Sequence, residues 1–220
     1  MLVIFDWDGT LIDSSGKIVA CMQQAARDSA VAPQSDEAIR NIIGLGLDEA
    51  LCQLYPQEKG EVRAEIRRHY SIRFLEADQT PCEFFPGVRS TLDSLRQQGV
   101  PLAVATGKSR KGLNRVLGNL KMEGYFQSSR CADETASKPN PLMLNQLCEE
   151  FNVDPVSAVL VGDTEYDLEM AHRVGMPSVG VAYGVHAPER LQRWQPLTVL
   201  ERFEALLPLL GSHYGMAIPR

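Results

Sequence analysis

Asp6, Asp8, Gly9 and Thr10 follow a short apolar run near the start of the chain. Thr106, Gly107 and Lys108 follow a second apolar run, and Asp163 and Asp167 follow a third, just behind Gly162. Lys138 lies between Ser137 and Pro139 in a segment that reads as a loop. If the three runs are strands of one parallel sheet, their carboxyl ends converge on one edge. That edge gathers four carboxylates, one hydroxyl and one or two ammonium groups. Four carboxylates in a small space repel one another, so positive charge has to accompany them. A hard divalent ion with oxygen ligands meets that need, and Mg²⁺ fits because it takes a few carboxylates and keeps several waters. Together with Lys138 and oriented backbone N–H groups, it suits a phosphoryl group, whose transfer needs mainly charge stabilisation and alignment.

The spacing of apolar residues predicts the elements that hold these side chains. Residues 2–6, 101–105, 158–161 and 178–182 read as short, fully buried strands. Residues 88–98, 109–120, 141–151 and 165–174 read as helices, the first closed by Gly99 and the last by Gly175. Alternating strands and helices at this spacing indicate an α/β fold, a doubly wound parallel sheet covered on both faces. Such sheets bind ligands beyond the carboxyl ends of their strands.

A different texture separates the first strand from the rest. Ile18, Val19, Met22, Ala25 and Ala26 repeat at helical spacing, and residues 36–43, 48–55 and 61–76 look like further helices. Pro33, Gly44, Gly46, Pro56 and Gly60 punctuate them, and no strand signal interrupts them. The expected organisation is therefore a core of residues 1–13 and 81–220 with an all-helical insert over 14–80. Asp13, Ser14, Ser15 and Gly16 at one joint, and Gln79, Thr80 and Pro81 at the other, could act as hinges, which would suit a lid.

Asp6, Asp8, Gly9 and Thr10, then Thr106, then Lys138, then Gly162, Asp163 and Asp167, in that order, resemble the haloacid dehalogenase superfamily over nearly the whole chain. The helical insert resembles that superfamily's C1-type cap. The spelling from Phe5 to Ser14 resembles the branch of phosphoglycolate phosphatases and β-phosphoglucomutases. The resemblance implies Asp6 as nucleophile, forming an aspartyl-phosphate. It implies Asp8 as general acid and then base, with its backbone carbonyl on Mg²⁺. Thr106 and the Gly107 N–H would hold phosphate oxygens, and Lys138 would offset the charge of Asp6 and the phosphate. Asp163 would ligate Mg²⁺ directly, and Asp167 through a water or a supporting hydrogen bond. Blander roles stand beside these. Asp6 could cap a strand end, Gly9 and Thr10 could only turn the chain, Thr106 could cap the next helix, Lys138 could be an exposed loop lysine, and Asp167 could answer a helix dipole.

Within that superfamily the acid at position 8 points to a phosphate ester, which has an oxygen leaving group to protonate; dehalogenases lack an acid there, phosphonate hydrolases carry a small apolar residue and P-type ATPases a threonine. Gly44, Leu45, Gly46 and Leu47 either face the active site, where Leu45 and Gly46 would touch substrate, or form a plain interhelical turn. Related mutases carry an arginine near position 47 to grip a second phosphate, so Leu47 leans towards hydrolysis. Arg63, Arg67, Arg68 and Arg73 either meet a substrate anion or form a solvated face. Met22, Phe74, Phe84 and Phe85 read as packing.

Composition narrows the field further. The 220 residues are 44% hydrophobic and 23% charged with a net charge of -6, which is the profile of a folded globular protein. No apolar run is long enough for a membrane span, and the first residues do not read as a signal peptide. Twenty-eight acidic against 22 basic side chains argue against a nucleic-acid partner. Cys21, Cys52, Cys82, Cys131 and Cys148 are odd in number and widely spaced, without the pairing of a zinc ribbon, which suits reduced thiols in the cytoplasm. His69, His172, His186 and His213 show no paired ligand spacing either. The expectation is a cytoplasmic phosphatase of a small phosphorylated metabolite, monomer or homodimer. A phosphomutase on the same fold and a non-catalytic binding protein on a hydrolase scaffold are the alternatives.

Overall fold

The computed structural model describes residues 1–74 and 82–215. Eight strands and ten α-helices are named within them: β1 Leu2–Phe5, β2 Ile12–Asp13, α1 Ser15–Asp28, α2 Asp36–Asn41, α3 Leu47–Leu54, α4 Gly60–Ile72, β3 Glu83–Phe84, α5 Val88–Gln97, β4 Leu102–Thr106, α6 Arg110–Asn119, β5 Ser128–Cys131, α7 Leu142–Phe151, β6 Ala158–Gly162, α8 Glu165–Arg173, β7 Ser178–Val181, α9 Pro188–Gln192, β8 Thr198–Leu200 and α10 Leu206–Tyr214.

Six strands form one sheet in the order β5-β4-β1-β6-β7-β8, and every neighbouring pair is parallel. Every residue of β1 is buried, and its side chains alternate between two cores. Val3 and Phe5 join Leu92 and Leu95 of α5 and Leu206 and Leu210 of α10 on one face. Leu2 and Ile4 join Leu144 and Leu147 of α7 and Met170 of α8 on the other. Helices on both faces exclude water from the strands, which is why the strands read as continuous apolar runs. From β1 the sheet is built outward in both directions, through β4 on one side and β6 on the other. The carboxyl end of β1 therefore stands at the switch point of the sheet, where ligands bind in open α/β folds.

Helices α1 to α4 have a core of their own. Ile18, Met22 and Ala26 of α1 pack with Ile39 of α2, Leu51 of α3 and Ile66 of α4. The Ser35 hydroxyl accepts from Ala38 N–H and starts α2. The chain reaches this block through β2 and returns through β3, and these two short strands pair antiparallel, Ile12 with Phe84 and Asp13 with Glu83. The expected hinge at Gln79, Thr80 and Pro81, and the end of the helix expected to reach Glu76, lie outside the described residues.

Candidate active site

Asp6 is the first residue beyond β1, and its N–H donates to the Val161 carbonyl of β6, so its side chain is fixed between two strands. The Lys138 ammonium donates to Asp6 Oδ1 at 2.5 Å and to Asp167 Oδ1 at 2.6 Å. Asp167 belongs to the first turn of α8, in a reciprocal cap. Thr164 Oγ1 receives the Asp167 N–H, while Asp167 Oδ2 accepts from Thr164 N at 3.2 Å and from Thr164 Oγ1 at 2.6 Å. Both Asp167 oxygens are thus engaged, one in building the helix start and one in holding Lys138.

Asp163 follows β6 directly. Its Oδ1 accepts from Thr10 Oγ1 at 2.8 Å and its Oδ2 from Val185 N at 2.9 Å. Thr10 is steadied in turn by Tyr183, whose hydroxyl donates to the Thr10 carbonyl at 2.9 Å. Gly9 sits in the left-handed region at φ +85, and a Cβ there would collide with the Asp163 carboxylate. Glycine at this position is therefore a condition for the first and third strand ends to meet.

Asp6, Lys138, Asp163 and Asp167 are between 0% and 2% exposed. Burial drives the Asp6 carboxyl well above the usual carboxylate range; Lys138 opposes the rise, and Asp167 and Asp163 reinforce it. Burial, with Asp167 beside it, pushes Asp163 up to about 7, against the Val185 and Thr10 hydrogen bonds. For Lys138 burial works against the charge, but the facing Asp167 and Asp6 carboxylates outweigh it and hold the ammonium protonated. One ammonium does not satisfy three carboxylates.

The donor set fits a dication. Asp6, Asp163 and Asp167 each offer one oxygen, all within 4.8 Å of one another, and Asp6 Oδ2 is buried with no hydrogen-bond partner. A buried carboxylate oxygen left bare is costly unless something positive completes it. All-oxygen donors favour Mg²⁺ over softer metals.

Asp8 points elsewhere. Its Oδ1 accepts from Ser14 Oγ at 2.5 Å, and Lys108 Nζ sits 2.9 Å from each of its oxygens. Its carboxylate therefore stands apart from the cluster of Asp6, Asp163 and Asp167. Thr106 ends β4, and its hydroxyl accepts from Lys108 N at 3.2 Å, closing a turn. Ser109, not Thr106, caps α6, accepting from Gly112 N. At Gly107 a Cβ would lie 2.5 Å from the Gly44 carbonyl oxygen, so glycine lets the loop between α2 and α3 rest on the end of β4.

That loop roofs a cavity of about 120 Å³. Asp6, Asp8, Thr106, Gly107 and Lys108 form the floor, and Gly44, Leu45 and Leu47 line it from above. Gly46 docks beside the cavity, its N–H donating to Ser137 Oγ at 2.8 Å, next to Lys138. Met22 and Phe74, expected only to pack, also face the cavity. None of Arg63, Arg67, Arg68 and Arg73 lines it. They bond the Tyr55 and Glu58 carbonyls, Asp48, Glu65 and Asp28 respectively. Sequence reasoning placed Lys108 at a strand tip and Ser14 at a joint without seeing that both bind Asp8. A lysine two residues beyond a strand tip was the available signal; Ser14 offered none.

The sequence profile of haloacid dehalogenase-like hydrolases matches residues 3–181. A curated protein named "Probable phosphatase IndB" from Dickeya dadantii is 35% identical over 210 residues, covering 94% of this chain and 91% of that one. A phosphoglycolate phosphatase from Vibrio vulnificus is 30% identical over 217 residues, covering 95% of each. The crystal structure of a hydrolase from Pseudomonas syringae superposes with a TM-score of 0.87 at 23% identity, over 97% of this chain and 99% of the other, and so shares its fold. The sheet order, the acids at the strand ends and the span of the matches agree, and the chain belongs to the family of haloacid dehalogenase-like hydrolases.

Proposed function

We propose that this protein is a Mg²⁺-dependent phosphatase that hydrolyses a small phosphate monoester through an aspartyl-phosphate. The observation that carries the reading is the state of Asp6: one oxygen is held by Lys138, and the other is buried without a partner beside two further acids. Asp6, Asp163 and Asp167, with the Asp8 backbone carbonyl, would hold Mg²⁺, which when bound supplies positive charge against the carboxylates and the phosphoryl oxygens. Asp6 attacks phosphorus, forming a P–O bond to its carboxylate as the ester P–O bond breaks. Asp8 serves as general acid, passing a proton to the leaving oxygen; it then takes a proton from the water that attacks the aspartyl-phosphate. Thr106 and the Gly107 N–H receive phosphoryl oxygens, and Lys138 faces the charge that develops.

Residues 14–80 serve in this reading as a cap that closes over the substrate, with Leu45 and Gly46 at its contact with the core. The relatives named as phosphatases support hydrolysis. So does Leu47, which lines the cavity where a mutase would need a cation for a second phosphate. The odd number and wide spacing of the five cysteines fit a reducing, cytoplasmic setting, and among the described residues no helix is long and apolar enough to cross a membrane.

The test is phosphate release from p-nitrophenyl phosphate. Asp6→Asn lowers kcat by at least about 10⁴-fold, and EDTA abolishes turnover until Mg²⁺ is restored. Activity that survives either treatment removes this mechanism.

A further inference from the structure

The wall of the cavity opposite the acids differs from its floor. Ile18, Met22, Ile42, Leu45, Leu47 and Phe74 form it, and the only polar side chains contributed from α1 to α4 are the hydroxyls of Tyr70 and Ser71. Burial holds the Tyr70 hydroxyl well above its usual range, so both groups are neutral. The floor and the acids behind it bring four carboxylates against two ammonium groups, and each ammonium is already hydrogen-bonded to carboxylate. Lys138 bonds Asp6 and Asp167; Lys108 contacts both Asp8 oxygens and lies 4.7 Å from the Phe74 ring centroid. Lys17 and Arg115 approach Phe74 from outside the lining, one at its ring and one at its carbonyl.

A substrate bound here has two ends. Its phosphoryl end meets Asp6, Thr106 and Gly107, and its leaving group meets the apolar wall. A second anion on the leaving group would lose its water and gain no uncommitted cation among the described lining residues, a costly exchange.

Resting on the phosphatase reading above, we propose that the natural substrate is a phosphate monoester of a small, uncharged, largely apolar alcohol, and that the wall selects against esters with a second anionic group. Phosphoglycolate, with its carboxylate, is then a poor substrate. The α1–α4 side chains act by exclusion: they offer an anion nothing to pair with.

The experiment compares kcat/KM for phosphate release from ethyl phosphate, butyl phosphate and phenyl phosphate with that from phosphoglycolate, phosphoglycerate and a hexose bisphosphate, all with Mg²⁺. The uncharged set is expected to lead by at least about tenfold. Leu47→Arg, at a half-buried position where a longer side chain can reach solvent, is expected to narrow that lead by about tenfold by supplying the missing cation. A wild-type preference for phosphoglycolate or the bisphosphate overturns the proposal and leaves the phosphatase reading standing. Inertness towards every ester, p-nitrophenyl phosphate included, removes that reading and this one with it. If Leu47→Arg does not fold, the wild-type ranking alone decides.

Discussion

The floor and the roof of the cavity are built on opposite plans. On and behind the floor, polar side chains buried beyond the strand ends hold one another through hydrogen bonds of 2.5 to 2.9 Å, Lys138 to Asp6, Thr10 to Asp163 and Lys108 to Asp8 among them. The roof is an apolar wall whose residues also belong to the core of α1 to α4, as Ile18, Met22 and Leu45 show. A polar network of this kind fixes geometry to a fraction of an ångström, because each member has few satisfactory positions. Apolar packing fixes volume and tolerates exchange of side chains of similar size. The floor is therefore suited to a reaction that does not vary, and the roof to a choice of substrate that can.

Substitutions can break this contrast. Lys138→Met should have the largest effect, a loss of about 10³-fold in kcat together with about 3–5 kcal/mol of stability. It leaves Asp6 and Asp167 buried without their shared partner. Phosphate release and urea unfolding measure the two losses, and unchanged activity would show that the floor is not the rigid half. Gly107→Ala tests the seam between the halves. Its methyl group would push the Gly44 carbonyl away, and KM for p-nitrophenyl phosphate should rise by roughly tenfold with a stability cost of about 1–3 kcal/mol. A larger fall in kcat than rise in KM would mean that the displaced element is the end of β4 rather than the loop above it.

The smallest effect belongs to a site outside both halves. The Tyr125 hydroxyl bonds Asp93 Oδ1 at 2.7 Å and holds its carboxyl below the usual range. A carboxyl lowered in the folded state stabilises the protein above its unfolded value, and the gain is lost as pH falls through the folded value. Asp93→Asn should therefore cost less than about 1 kcal/mol near neutral pH, since the group is largely solvated. The difference from wild type should fade below about pH 4. Thermal melts across that range follow it, and catalysis should not respond.

The same contrast governs what the sequence reveals. Strands β1, β4, β6 and β7 lie inside the sheet, and their buried runs were readable. Strands β5 and β8 are its two edges and were not foreseen. Ser128, Ser129 and Arg130 of β5 are only half-buried and give no apolar run. Strand β8 has three residues and lacks the length to stand out. Helix α10 was missed as well, because Pro208 and Gly211 interrupt its apolar stretch. In the site, the meeting of Asp6, Asp163 and Asp167 is legible because strand ends at a switch point converge by topology, whereas Lys138 stands in the loop between β5 and α7 and is legible only through the family resemblance. The pairing of Lys108 with Asp8 crosses 100 positions and depends on where one long side chain swings. Met22 and Phe74 carried no signal at all, since a residue that lines a cavity and one that fills a core share the same apolar pattern.

The two short paired strands that carry the chain out to α1 and back have a consequence for lineage. Departure and return stand side by side, Asp13 against Glu83. Whatever is threaded between them leaves the six-stranded sheet with the same two attachment points. Descendants of such a protein can lengthen, shorten or trade that intervening stretch as a cassette, acquiring new specificities while the inherited reaction centre stays as it was.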